Sequence, residues 1–166
     1  MHRLMQALPD IPADRRTDAA ERYLAHAATE FLPAERAAMA QQVLGIIDDE
    51  NFAEIFAPGS RAEVPIVGRI ARAGSNPIPV AGQVDRLAVT GETVLIADYK
   101  TDRIVPNRPD EVAPYVTQLA LYRAVLARVF PKKTVRAALL FTDAPKLMEL
   151  PAAAMDAALT KLAPCA

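Results

Sequence analysis

Two strand-like segments, residues 79–89 and 93–101, are separated by one short polar turn, and that spacing constrains this chain more than any other feature. Thr90-Gly91-Glu92-Thr93 reads as a two-residue hairpin turn with glycine first, so the two segments are predicted to pair antiparallel. In that register Thr90 faces Thr93, and the two residue numbers of every pair have the same sum. Asp85 then lies opposite Asp98, and Gln83 opposite Lys100. Strand side chains alternate between faces, so Asp98 and Lys100 leave the same side of their strand. A turn one residue longer would set Asp85 against Ala97 and separate the acids.

Other segments surround this hairpin. Residues 61–73 alternate through Val64, Ile66, Gly68 and Ile70, and residues 134–142 through Val135, Ala137, Leu139 and Phe141; both are predicted strands. Helices are predicted over 14–29, with Asp14 as its cap, over 33–48, over 114–130 and over 151–162. A short helical turn is expected at 51–56 and a proline-rich loop at 106–114. This order predicts an α/β domain whose mixed, largely antiparallel sheet of about four strands is flanked by helices.

Composition narrows the function. The 166 residues, 52% of them hydrophobic, suffice for one domain with its own core. The only cysteine, Cys165, lies beside the C-terminal residue, which excludes a disulfide framework or an iron–sulfur cluster held within the chain. No apolar run reaches the roughly 18 residues of a membrane helix, and residues 1–5 do not read as a secretory signal. A cytoplasmic protein without membrane contact is expected. The six glycines are scattered and make no phosphate-cradling loop, so no nucleotide is expected in this domain. Neither Ser60 nor Ser75 lies in a nucleophile elbow. With 19 basic and 20 acidic residues the net charge is -1, which suits chemistry better than grip on a polyanion.

The paired acids carry the chemistry. Aspartate is depleted in strands, so two on facing strands are informative. Opposed carboxylates with Cβ atoms roughly 5 Å apart repel unless a cation lies between them. Magnesium takes oxygen ligands, often one or two carboxylates plus substrate phosphates. Lys100 beside such a site could orient a water or offset charge on phosphate. Together these make a minimal phosphodiester-cleaving site.

At this point Gly82-Gln-Val-Asp85-Arg-Leu, Asp98-Tyr-Lys100-Thr and Tyr115-Val-Thr-Gln118-Leu-Ala-Leu-Tyr122 take on a family pattern. In combination they resemble the nuclease domains of the RecB-like PD-(D/E)xK family, with the AddA type of helicase–nuclease closest. His2-Arg-Leu-Met-Gln resembles that family's first nuclease motif, and the stretch around Phe141-Thr-Asp-Ala-Pro its tail. The resemblance implies a restriction-endonuclease-like fold and residues 1–166 as a single nuclease domain of a longer helicase–nuclease. It implies exonuclease-type cleavage of DNA in double-strand break repair and recombination, with Mg2+ or Mn2+. Asp85, Asp98 and Lys100 would be catalytic; Asp85 and Asp98, joined by His2 and the main-chain carbonyl of Tyr99, would hold the metal. Gln118, Tyr122 and Tyr115 would form a ridge that contacts DNA phosphate or orients the lysine. The implied partners are DNA single strands from an unwound duplex, helicase motor domains in the same polypeptide and an AddB-like subunit. Two other readings stay open: an idle nuclease fold serving as a DNA-binding or assembly module, and a stand-alone RecB-like exonuclease. Glu63 is a further candidate acid. Thr101 is expected to help end its strand, Arg86 to pair with an acid, His26 to be structural, and Arg103, Arg108 and Arg123 to carry surface charge.

Overall fold

The hairpin forms with the anticipated two-residue connection. In the computed structural model, which describes residues 1–72, 75–102, 105, 106 and 108–162, Thr90 N–H donates to the Thr93 carbonyl at 2.9 Å. Gly91, however, does not use glycine's left-handed conformation; among the described glycines only Gly59, at φ 83°, does so. The turn is held from outside instead. Lys133 Nζ donates to the carbonyls of Thr90, at 2.7 Å, and Gly91, and the Thr134 N–H donates to the Glu92 carbonyl at 2.9 Å. Lys133→Met is therefore expected to lower stability by about 1 kcal/mol, a fall in melting midpoint of roughly 3 °C. An unchanged midpoint in thermal denaturation would mean that the turn holds itself.

The chain forms two compact units, Met1–Phe56 and Ala57–Ala166. The second contains the sheet: β1 (Arg61–Arg72), β2 (Ser75–Val89), β3 (Thr93–Lys100), β4 (Thr134–Phe141) and β5 (Lys146–Glu149), side by side in that order. All neighbours are antiparallel except β3 and β4. Those two run parallel because a helix, Ala113–Val129, lies between them in sequence. Both faces of central β3 are buried, as its continuous apolar run Val94-Leu-Ile-Ala97 requires. The helix packs Val116, Leu119, Ala120, Val125 and Leu126 with Val80, Val84, Leu87, Val94, Ile96, Ala137, Leu139 and Phe141 in one core. The last helix, Ala152–Lys161, adds Met155 to it. In chain order the helices are α1 (His2–Ala7), α2 (Ala13–Ala27), α3 (Pro33–Asp48), α4 (Ala113–Val129) and α5 (Ala152–Lys161).

The first unit is α1, α2 and α3. Arg16 ties it together, donating to the carbonyls of Leu8 and Ile11 at 3.2 and 3.0 Å and to Asp48 Oδ1 at 2.7 Å. At the start of α3 the Glu35 carboxylate accepts the Leu32 N–H at 2.7 Å, occupying a main-chain donor that the helix leaves over.

Several boundaries differ from those expected, each for a local reason. Asp14 is not a cap: Pro12 holds that position, and Asp14 lies inside the first turn of α2. The sheet has five strands, the four-residue β5 being too short for its alternation to register in the sequence. β2 begins at Ser75, ahead of two prolines, because there it pairs with β1 alone and needs no donor on its other side. The proline-rich segment ends in a 3-10 turn, Pro109–Val112, that leads into α4. Among the described residues no helix is long and apolar enough to cross a membrane.

Candidate active site

The site lies where the sheet forks. Pairing of β2 with β3 runs from Val89 and Val94 to Arg86 and Ala97, and one more step in that register sets Asp85 against Asp98. The recorded ladder ends before that step; farther on, β2 continues with β1 and β3 with β4. At the branch the Asp85 carboxylate replaces the missing ladder partner, its Oδ2 accepting the Tyr99 N–H at 2.6 Å. A carboxylate from β2 is thereby held on the peptide that follows Asp98. Gln83 does not reach the expected place opposite Lys100, because the strands have already parted; its Nε2 donates to the Glu63 carboxylate.

Strand alternation breaks at the same place. Val84 and Leu87, three residues apart, both belong to the core that contains α4, whereas strict alternation would send them to opposite faces. The β1–β2 ladder skips Glu63 and Asp85 between the pairs Ala62–Arg86 and Val64–Val84, and Glu63 is the only described non-glycine residue with positive φ, at 55°. Such a conformation costs on the order of 1 kcal/mol or more and occurs where surrounding packing enforces it. Two adjacent strands therefore depart from regular geometry at the level of Asp85.

Asp98 and Lys100 project together, as their two-residue spacing requires, and Lys100 Nζ lies 2.6 Å from Asp98 Oδ2. The Asp98 residue is only 6% exposed, so the pair is largely withdrawn from water and its attraction is little screened. On another side the ammonium stands 3.7 Å from the ring centroid of Tyr115, in the first turn of α4. The root of Lys100 is fixed too, its carbonyl accepting from the Thr142 N–H at 2.8 Å and Oγ1 at 3.1 Å. Tyr99 occupies the other strand face, and burial pushes its phenol well above the usual range. The Arg86 guanidinium opposes that shift, while the charges of Asp85 and Glu63 add to it. The phenol stays a neutral hydroxyl.

Gln118 and Tyr122, one turn apart on α4, form a pair: Gln118 Nε2 donates to the Tyr122 hydroxyl at 3.1 Å. That hydroxyl rests on the backbone of Gly82, where an added Cβ would stand 1.9 Å from it. Thus the glycine that opens the Asp85 segment is a cradle for α4.

Compared with known families, residues 1–163 match the model of the PD-(D/E)XK nuclease superfamily. The chain belongs to that superfamily. None of the curated proteins compared with the chain matches it. A crystal structure from Eubacterium rectale, of a protein with a provisional exonuclease assignment, superposes with a TM-score of 0.55 at 14% identity; the match covers 95% of this chain and 63% of that one. The chain thus spans less than two thirds of that protein's length, and the likeness shows the restriction-endonuclease-like fold. The structure of SSO0001 matches at a TM-score of 0.40 and 17% identity, over 84% of this chain and 66% of that one.

Within this PD-(D/E)XK frame the other candidates fall in several places. His2 opens α1, in the N-terminal unit. Glu63 is the strained residue beside the fork. Arg86 is buried, and its Nε and Nη2 donate to Ser60 Oγ at 3.0 and 2.8 Å, a partner with no signature in the sequence. Arg123 is a structural tie, donating to the Val135 carbonyl at 3.1 Å and to Asp156 at 2.6 Å. Arg108 pairs with Asp110 and Glu111 on the surface. His26 Nδ1 lies 2.9 Å from the Arg22 carbonyl of its own helix. Thr101 is exposed just past the end of β3, and Arg103 and Cys165 lie outside the described residues. Among the described residues no three His, Cys, Asp or Glu side chains gather as a ready metal cluster. Thr142 was legible only as part of a family-like tail; its clamp on Lys100, 42 residues away, depends on the parallel pairing of β3 with β4.

Proposed function

We propose that this chain is the nuclease domain of a DNA-processing enzyme, a metal-dependent deoxyribonuclease of exonuclease type. Its setting on this reading is an AddA-type helicase–nuclease in double-strand break repair and recombination. One observation carries the chemistry: at the sheet fork the Asp85 carboxylate is held on the Tyr99 amide, next to the Asp98–Lys100 pair. The family match supports hydrolysis of nucleic acid, and a protein of the same fold with a provisional exonuclease assignment is in keeping with it.

The donor set suits a hard divalent cation. Asp85 and Asp98 supply carboxylate oxygens from two diverging strands, the Tyr99 carbonyl is a further oxygen donor between Asp98 and Lys100, and magnesium or manganese is content with few protein ligands plus water and phosphate. When bound, such an ion lends Lewis acidity to a phosphoryl oxygen and acidity to its water. The chain's own part is to hold that donor set in place and to present a cation opposite it. Lys100 is anchored at its carbonyl by Thr142, and its ammonium would offset the charge that a scissile phosphate gathers. Contact of that kind is with phosphate, so little base preference and a steep dependence on salt are expected.

The net charge of -1 gives the chain little general attraction for DNA. Delivery of single strands by a helicase motor in the same polypeptide, with an AddB-like subunit, would supply that grip in a cytoplasmic complex. The deciding experiment is cleavage of end-labelled single-stranded DNA with Mg2+ or Mn2+. Activity should vanish on chelation and return with the metal, while titration calorimetry should register the ion even without DNA. Undiminished cutting in chelator would refute the metal chemistry; metal binding without cutting would favour an idle DNA-binding module.

A further inference from the structure

We propose that Tyr115 is a positioning residue for Lys100, acting through the face of its ring and not through a hydroxyl contact with DNA; this rests on the nuclease reading above. The ammonium lies 3.7 Å from the ring centroid and 2.6 Å from Asp98 Oδ2, so it is held between a carboxylate and an aromatic face. The two holds differ in permanence. If Asp98 engages a metal ion, its carboxylate can no longer be given wholly to Lys100. The ring has no competing ligand and attracts a cation by its quadrupole alone. It also consumes none of the three N–H donors, so those not given to Asp98 stay available for the phosphate or for water.

Geometry makes the ring a firm support. Tyr115 lies in the first turn of α4 directly after Pro114, whose ring fixes the local backbone. The lysine's root is fastened by Thr142, so its flexible four-carbon stem is the remaining freedom. Resting the tip on a rigid ring removes that freedom before substrate arrives. Gln118, by contrast, is bonded to Tyr122, so the three α4 side chains divide into a lysine rest and a separate sheet-packing pair.

The test compares Tyr115→Phe with Tyr115→Leu in the 166-residue chain. In a proton–carbon spectrum of carbon-13-labelled lysine, one ε-methylene signal should be shifted upfield by the ring and should disappear in Lys100→Arg. Phenylalanine should preserve that signal, and leucine should abolish it. At saturating single-stranded DNA, leucine should lower the cleavage rate by roughly 10- to 100-fold, whereas phenylalanine should restore it to within a few-fold. Affinity for a labelled oligonucleotide without metal should be the same in all three proteins. Loss of affinity in Tyr115→Phe would overturn the proposal in favour of a hydroxyl contact with phosphate. Normal cleavage by Tyr115→Leu, or no shifted methylene in the parent chain, would also overturn it while leaving the nuclease reading intact. A parent chain that cleaves with neither metal removes the nuclease reading, and the positioning role goes with it.

Discussion

Asp98→Asn is expected to slow phosphodiester cleavage by about 10²- to 10⁴-fold, and Lys100→Ala by a similar factor, the range for removal of a positioned charged or proton-transferring group. Asparagine nearly reproduces the shape of aspartate but withdraws the charge, so Lys100 loses the partner now 2.6 Å away and the oxygen donor set loses a carboxylate. Asp98→Glu separates charge from reach, since glutamate keeps the carboxylate and lengthens the side chain by one methylene. It should retain more activity than asparagine, although glutamate is the larger change in length. The pair is mostly buried, so each single substitution should also destabilise the fold, by about 2–3 kcal/mol, as the remaining charge loses its counterpart. Rates must therefore be measured below the variants' melting midpoints, with circular dichroism as the control for folding. Wild-type rates in both Asp98→Asn and Lys100→Ala would remove these residues from the reaction.

Gly82→Ala should be the most damaging small substitution in the sheet. The new methyl carbon would stand 1.9 Å from the Tyr122 hydroxyl, 2.7 Å from Cζ and 2.9 Å from Cε1, and no real Cβ tolerates such distances. Tyr122 is only 5% exposed and has little room to retreat. Either α4 lifts from β2, or the tyrosine leaves its rotamer and its bond with Gln118. Overpacking of this kind costs about 3 kcal/mol, a fall in melting midpoint of roughly 6–12 °C. Pairing the change with Tyr122→Leu should recover much of the loss, because both substitutions act on one volume. Equal damage in the single and double variants would show that something other than this collision is at work.

The hairpin and the same-face placement of Asp98 and Lys100 were legible because both follow from local rules, a two-residue turn and a period of two. The expected opposition of Asp85 to Asp98 lies one step past the end of the β2–β3 ladder, where the Asp85 carboxylate accepts the Tyr99 N–H. Gln83 was misplaced because a constant register was extended through a fork, and a fork is not a property of either strand alone. It depends on β2 keeping β1 and β3 keeping β4 as partners after the two have parted, pairings made between residues far apart in the chain. The same limit hid the strain at Glu63 and the Ser60 partner of buried Arg86. Likewise, Tyr115, Gln118 and Tyr122 were readable as one helical ridge, yet α4 gives the first to Lys100 and the last to Gly82.

By itself the sequence determined the α/β order of elements, the hairpin register and the face shared by Asp98 and Lys100, because turn length and side-chain alternation act between near neighbours. Only the tertiary structure decided where β2 and β3 separate, that Asp85 fills the amide left open there, and which aromatic ring meets the lysine. Those outcomes are settled by packing among residues far apart in the chain, where local periodicity has no say.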